Sequence, residues 1–430
     1  MIRFVRALLV VLLLSIAYFA EADTIKMMQY NLMYYTDNAP EGCNDFTNHL
    51  DKKDTCLKAI FKYLKPDVIG VNEIGKYDVY ANRLLTNTLN VDGVDYYNFC
   101  PTVSNSTGIT IGNRLFYDTR KLTFVESYYF PTGLTYFNCY RFYFNTKELK
   151  NGDTTYVTFI VTHLKAGSYE ENQESRYEQV QNFIEQLQMS GRHENFILSG
   201  DFNIGNDTED AFQLLIDNGD YNFIDPIRKE GDWHDNPDYA AYHTQSTHAG
   251  YESDICFSGG GFDNRYDMIL VSPQVYYGTD GVKSLNASYT TVGQDGNRLN
   301  KGLLYPANTS GVPENVLNAL YNSSDHLPVT MELEISGTAV GVGGAGEVDF
   351  RVNVENPVAD GSLRLSLFTP QPDHYRMEIF TIDGKFLDSF LQSIHNQQNI
   401  EIDFPYSKGI YMLRISNGDR QSVVKKVVKM

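Results

Sequence analysis

The chain has 430 residues, 42% of them hydrophobic and 13% aromatic, enough for about two or three domains, each around a substantial core. Its 35 Lys and Arg face 54 Asp and Glu, a net charge of −19, which excludes a broad basic surface able to hold nucleic acid by charge alone. A polyanionic substrate has to be met locally, through a cation.

Residues 1–22 read as a secretory signal peptide. Arg3 and Arg6 precede an apolar run from Ala7 to Phe19, and small residues at Ala20 and Ala22 set a cleavage site before Asp23. The run is short for a bilayer span, so no stable membrane segment is expected after cleavage. Export would bring the five cysteines, Cys43, Cys56, Cys100, Cys139 and Cys256, into oxidising conditions where up to two bridges can form. Spacing does not choose the pairing, and no C-x-x-C marks a metal site.

Over 23–336, short β-branched or aromatic runs alternate with helical periods, which predicts a mixed α/β domain. The strand candidates, in order, are "TIKMMQYN", "DVIGVNE", "TGITIGNRLFYD", "TYVTFIVTHL", "NFILSGD", "RYDMILVS" and "LPVTMELEI". Asp54 is placed to cap a helix whose Leu57, Ile60, Phe61 and Leu64 form one stripe, and Val180, Phe183, Ile184 and Leu187 repeat it. Residues 337–348 are a Gly-rich linker. Beyond it, 349–430 predicts a small all-β domain, with "YRMEIFTI", "NIEIDF" and "IYMLRIS" as strands between turn signals.

This last segment resembles the C-terminal sorting domain of type IX secretion, a system of the Bacteroidetes. The resemblance rests on "NPV" at Asn356, "IFTIDGK" at Ile379, "SKGIYMLRI" at Ser407 and the closing "KKVVK". It implies a partner in the type IX machinery, delivery to the outer surface or medium, and no chemistry of its own. The competing reading is a β-sandwich module that binds carbohydrate or protein.

In the larger domain, polar residues of a restricted kind stand where apolar strand runs stop. They are Asn31, Glu73, His163, Asp201 with Asn203, Asp267, and Asp325 with His326. Each alone is a common turn or strand-end residue. Together they supply the oxygen and nitrogen groups a hard-cation hydrolase requires, and no cysteine. Mg²⁺ is the expected cofactor, with Mn²⁺ or Ca²⁺ as alternatives, and Glu73 its first ligand.

The ordered series "QYN", "NE", "TH", "GDFN", "YD" and "SDH" resembles the endonuclease/exonuclease/phosphatase superfamily, the fold of pancreatic deoxyribonuclease, over about residues 24–335. The resemblance implies a four-layered β-sandwich, two facing sheets flanked by helices, with the site at one end. It places Asn31, Glu73 and Asp325 at the metal, and Asp201 and Asn203 at the attacking water. Asp267 would orient His326, the general base or phosphate donor, and His163 would assist at the phosphate. Chemically, the roles suit the residues: Asp201 can accept from water, an imidazole changes charge near neutral pH, and a buried carboxylate fixes an imidazole's tautomer.

Arg114 in "GNRLFYD" and Lys165 in "THLKAG" are candidate substrate-phosphate contacts, with Arg176 behind them. A polar insertion, "TTVGQDGNRLNKGLLYPANTSGVP", is a candidate wall of the substrate cleft. The leading expectation is a secreted, monomeric, metal-dependent phosphodiesterase, first a nuclease acting on DNA or RNA. A sphingomyelinase-like or phosphatase-like hydrolase of the same fold comes second, and a catalytically silent surface binding protein third.

Overall fold

Strands β1 (Asp23–Tyr35) and β2 (Val68–Gly75) run parallel, with Asn31 opposite Asn72, because helix α1 (Leu50–Leu64) carries the chain back between them. The computed structural model describes residues 23–37, 39, 43, 48–101, 110–133, 135–145, 155–219, 221–250, 256–335, 350–359, 361–369, 373–381, 386–417 and 422–430. The expected signal peptide and linker lie outside these residues. Helix α2 (Asp78–Leu84) and strands β3 (Tyr97–Phe99) and β4 (Ile111–Asp118) follow. Next come β5 (Leu122–Phe130), β6 (Phe137–Phe144) and β7 (Tyr156–His163). Helix α3 (Glu170–Ser190) crosses from β7 to the parallel β8 (Phe196–Asp201), and α4 (Asp210–Ile216), β9 (Asp267–Val271) and α5 (Pro273–Tyr277) come after it. The domain closes with β10 (Val282–Thr291), α6 (Glu314–Ser323) and β11 (Val329–Ile335).

These strands make two sheets, ordered β10-β11-β1-β2-β4-β3 and β5-β6-β7-β8-β9. Between them lies one apolar layer that includes Met27, Val68, Leu115, Phe142, Phe159, Val161, Ile197, Ile269 and Met331. Outside the first sheet, α1, α2 and α6 pack their stripes on Met28, Tyr30, Ile69 and Val71; outside the second, α3 and α4 pack on Ile160, Leu198 and Leu270. Helix, sheet, sheet and helix are the four expected layers. Because both faces of the sheets are covered there, the central strands β2 and β8 and the edge strand β9 are buried at every position.

The structure differs from expectation in one helix start and in several strands. Helix α1 starts at Leu50, so Asp54 is not its cap; the carboxylate is inside the helix and accepts from the Tyr35 hydroxyl, Asn87 Nδ2 and Arg83 Nη2. Strands β3, β5, β6 and β10 are not among the expected strands: β5 and β10 mix buried and exposed positions, whereas β6 is aromatic and mostly buried and its signal was missed. Of the five cysteines, Cys43 and Cys256 are bridged, while the Cys100 and Cys139 thiols are buried and pushed well above their usual range by that burial. Among the described residues no helix is long and apolar enough to cross a membrane.

The C-terminal region is all-β, as expected. Strands β12 (Arg351–Val354), β13 (Ser362–Phe368) and β16 (Gln397–Asp403) form one sheet in the order β12-β13-β16. Strands β14 (Asp373–Thr381), β15 (Phe386–Ile394), β17 (Gly409–Asn417) and β18 (Ser422–Lys429) form another in the order β15-β14-β17-β18. Their shared core includes Leu365, Tyr375, Ile379, Leu413 and Val427.

Candidate active site

Strand register assembles the centre of the site. In the second sheet His163 pairs with Asp201 across β7 and β8, and Asp201 pairs with Asp267 across β8 and β9. Alternation sets these three side chains on the same face as Val161, Ile197 and Ile269, so they form the last, polar layer of the inter-sheet core. Asn31 closes the same layer from the first sheet, donating Nδ2 to Glu73 Oε1 and Asp201 Oδ2, each at 3.0 Å.

Glu73 needs a special backbone. Val68, Gly70 and Asn72 of β2 point into the core between the sheets, so simple alternation would send Glu73 outward. Its φ of 58°, at an irregularity of the ladder between Val71 and Ile74, turns it inward instead. Two glycines permit the close packing beneath. A Cβ on Gly70 would lie 2.6 Å from Gln29 Oε1, and one on Gly200 would lie 1.9 Å from the Thr162 carbonyl.

The result is a buried cluster of acids and imidazoles. His163 Nε2 is 3.6 Å from Asp201 Oδ2 and 4.0 Å from Glu73 Oε1. His326 Nδ1 meets Asp267 Oδ2 at 2.6 Å, and its Nε2 lies 3.8 Å from Asp201 Oδ2 and 4.0 Å from Asp325 Oδ1. Burial pushes the Asp201 carboxyl above its ordinary range, against the pull of His326 and His163. Burial alone would lower His326, yet the charges of Asp267, Asp201 and Asp325 override it and hold the imidazolium well above the usual value. Asn203, at φ 53°, turns back so that its N–H reaches Asp201 Oδ1 at 3.1 Å and its Nδ2 reaches the Leu164 carbonyl.

Several supporting residues had no expected role. Asn72 Oδ1 accepts from Gln29 Nε2 and the Asp201 N–H, while its Nδ2 donates to Asn113 Oδ1 and the Thr162 carbonyl. This amide wiring joins the two sheets under the acids. Gln245 contacts Asp325 Oδ2 at 3.1 Å and His326 Nε2 at 2.8 Å. Gln245 Nε2 makes both contacts, so it donates to His326 only while that ring's Nε2 is unprotonated; turning the amide over to meet an imidazolium would set its oxygen against Asp325 Oδ2. Asn72 stands inside the expected strand "DVIGVNE" and in the "NE" of the ordered series, with no role expected of it; Gln245 had no signal.

The expected substrate contacts are placed differently. Arg114 is 1% exposed and turned toward α2, with Nη1 at 3.2 Å from Asp78 and Nη2 on the Lys76 carbonyl, so it is already engaged. Arg176 is buried in a two-pronged pair with Glu209 and donates to the Lys165 and Gly167 carbonyls, bracing the segment after His163. Lys165 lies in that segment, half-buried, with Nζ on the Ala166 carbonyl.

The donor set fits a hard divalent cation. Glu73, His163 and Asp201 can each bring a ligand atom within 4.8 Å of the others, as can Asp201, Asp267 and His326. Asp267 Oδ1 and Asp325 Oδ1 are buried without a hydrogen-bond partner, the condition a cation or its waters would relieve. Asn31 offers less, because its Oδ1 already accepts from the Met33 N–H at 2.9 Å.

Residues 28–326 match the model of the endonuclease/exonuclease/phosphatase family, and 356–430 that of the secretion system C-terminal sorting domain. No curated protein matches the chain. Among solved structures, an endonuclease/exonuclease/phosphatase family protein from Bacteroides thetaiotaomicron is 16% identical with a TM-score of 0.45, covering 74% of this chain and 96% of that one. The human nocturnin catalytic domain with bound sulfate is 14% identical with a TM-score of 0.44, covering 74% and 97%. A humanized D. rerio TDP2 is 13% identical with a TM-score of 0.43, covering 72% and 99%.

Proposed function

The chain belongs to the endonuclease/exonuclease/phosphatase family and carries a secretion sorting tail, and from that premise we propose that it is a secreted, divalent-metal-dependent phosphodiesterase whose substrate is DNA or RNA. The observation that carries this reading is the in-register row His163, Asp201 and Asp267, closed by Asn31, Glu73 and His326. An acid with a raised pKa, a charged imidazole and a second histidine meet there around one buried acidic centre.

Hydrolysis needs an in-line water, a counter-charge for the phosphoryl oxygens and a proton for the leaving oxygen. Asp201, raised by burial, is suited to take the proton of a water that Asn203 helps to place. His326, held charged by Asp267, donates Nε2–H to a phosphoryl oxygen, and Asp267 keeps the ring oriented through Nδ1. His163 protonates the departing oxygen as the P–O bond breaks, leaving a phosphomonoester and an alcohol. Glu73 would hold the cation with Asp201, Asn31 fixing both carboxylates and Asp325 facing them beside His326. A divalent ion there supplies Lewis-acid polarisation of the phosphoryl group.

The test is a panel of DNA, RNA, sphingomyelin and inositol phosphates offered to the mature chain with Mg²⁺ or Mn²⁺. Cleavage of a nucleic acid that EDTA abolishes is the expected result. Turnover of sphingomyelin or an inositol phosphate alone would overturn the nuclease assignment, and turnover unmoved by EDTA would overturn the metal dependence.

A further inference from the structure

Lys53 lies on α1 and its side chain is 2% exposed. All three protons of its ammonium are used on backbone: the carbonyls of Leu32 at 2.8 Å, Met33 at 2.7 Å and Ser323 at 2.7 Å. Among the described residues no carboxylate stands within ion-pair distance of it. Leu32 and Met33 follow Asn31 directly, and Ser323 stands two residues before Asp325. The lysine therefore ties the end of β1, which carries Asn31, to the segment that carries Asp325 and His326.

Those carbonyls need a donor for a local reason. Met33 and Tyr34 adopt φ of 49° and 52°, which takes the backbone out of the regular β1 ladder and leaves its acceptors without strand partners. Ser324 laces the same two segments, its hydroxyl donating to the Asn31 carbonyl at 2.7 Å and accepting the His326 N–H at 3.1 Å. The Tyr30 and Ser323 hydroxyls add a third tie at 2.7 Å. The charge is expensive to bury: desolvation pushes the Lys53 ammonium down to about 7, opposed by the charges of Asp325, Glu73 and Cys56. The Phe257 ring, 5.7 Å from Nζ, covers it from another side. A methionine would fill the space without that desolvation but could not hold three carbonyls.

Resting on the hydrolase reading above, we propose that Lys53 is a positioning residue of the active site, fixing through three carbonyls the spacing between its Asn31–Glu73 side and its Asp325–His326 side. It touches neither substrate nor reacting atoms. Its effect is carried by the two segments it joins.

The mature chain is compared with Lys53→Met by hydrogen exchange and by steady-state kinetics. Exchange at the Met33, Tyr34 and His326 amides, which are bonded to Asn31, Glu73 and Ser324, is expected to rise about tenfold or more while β8 amides stay within about threefold. Turnover is expected to fall by about 10-fold to 100-fold with KM within about threefold, as misplacement of reacting groups requires. Unchanged local exchange and turnover would overturn the proposal, and so would exchange that rises equally through β8, which marks an ordinary core residue. Should Lys53→Met not fold, the same readouts on Lys53→Gln, which keeps two donors, decide. A wild-type chain inactive on every phosphate ester would remove the functional reading, while the exchange comparison would still judge the clamp.

Discussion

In β17 of the C-terminal module buried and half-exposed residues alternate, whereas β8 and β9 of the larger domain are buried at every position. In β13 the outward Ser362, Arg364 and Ser366 alternate with Leu363, Leu365 and Leu367 of the module's apolar core, so that strand has one open face. Strands β8 and β9 have no open face. Buried polar groups of the sandwich, Gln29, Asn72, Asn113 and Ser199 within the strands and the acids and imidazoles at the strand ends, must satisfy one another or a ligand. Among the described residues, the acid and imidazole groups able to hold a metal lie in the sandwich alone. The candidate site lies where the apolar layer between the sheets gives way to polar side chains.

The largest way to break that contrast is His326→Ala. Turnover is expected to fall by about 10²-fold to 10⁴-fold. The melting temperature should drop as well, because Asp267, fully buried, loses the partner at 2.6 Å. A loss of less than about threefold on the folded protein would reduce the cluster to packing.

Asp267→Asn sharpens the comparison by charge alone. Asp267 is the first of the groups that raise His326, so its removal lowers the imidazole's pKa. An imidazolium that donates to phosphate works below its pKa and fails as pH rises through it. The alkaline limb of the rate profile should therefore move to lower pH. Stability follows the same sign: the raised folded value stabilises fully below the ordinary 6.5 and is lost as pH climbs through the folded pKa, so the variant should show less of that alkaline loss in melting scans. A profile that stays in place would mean that another group titrates.

The smallest effect is expected from removing 349–430. Hydrolysis by the remaining chain should stay within about twofold, since the groups of the proposed reaction lie in the sandwich, while delivery to the cell surface is lost. A large fall in turnover would show that the module contributes more than an address.

Much of this arrangement was legible as apolar runs that end in a polar residue. That rule found His163, Asp201 and Asp267, because in-register strand ends become neighbours without any long-range guess. It found Glu73 for the wrong geometric reason, since alternation points that residue outward and only the left-handed backbone brings it in. Lys53 and Gln245 escaped, and Asn72 stood in the series without its partners, because a polar residue's partner is set by tertiary approach, which leaves no period in the sequence. Arg114 illustrates the converse: a cation near a site strand read as a phosphate contact, but a carboxylate two residues past Lys76 engages it first. Residue type was readable; partnership was not.

The central claim, that these strand ends jointly hold one divalent ion beside a phosphate, is tested most directly by Mn²⁺ binding to the metal-free mature chain and to Glu73→Gln, followed by electron paramagnetic resonance. The account predicts a bound ion in the parent chain and an affinity at least about tenfold weaker in the variant, a difference of about 1.4 kcal/mol. Equal affinity in the two proteins, or no bound ion in the parent, would contradict it.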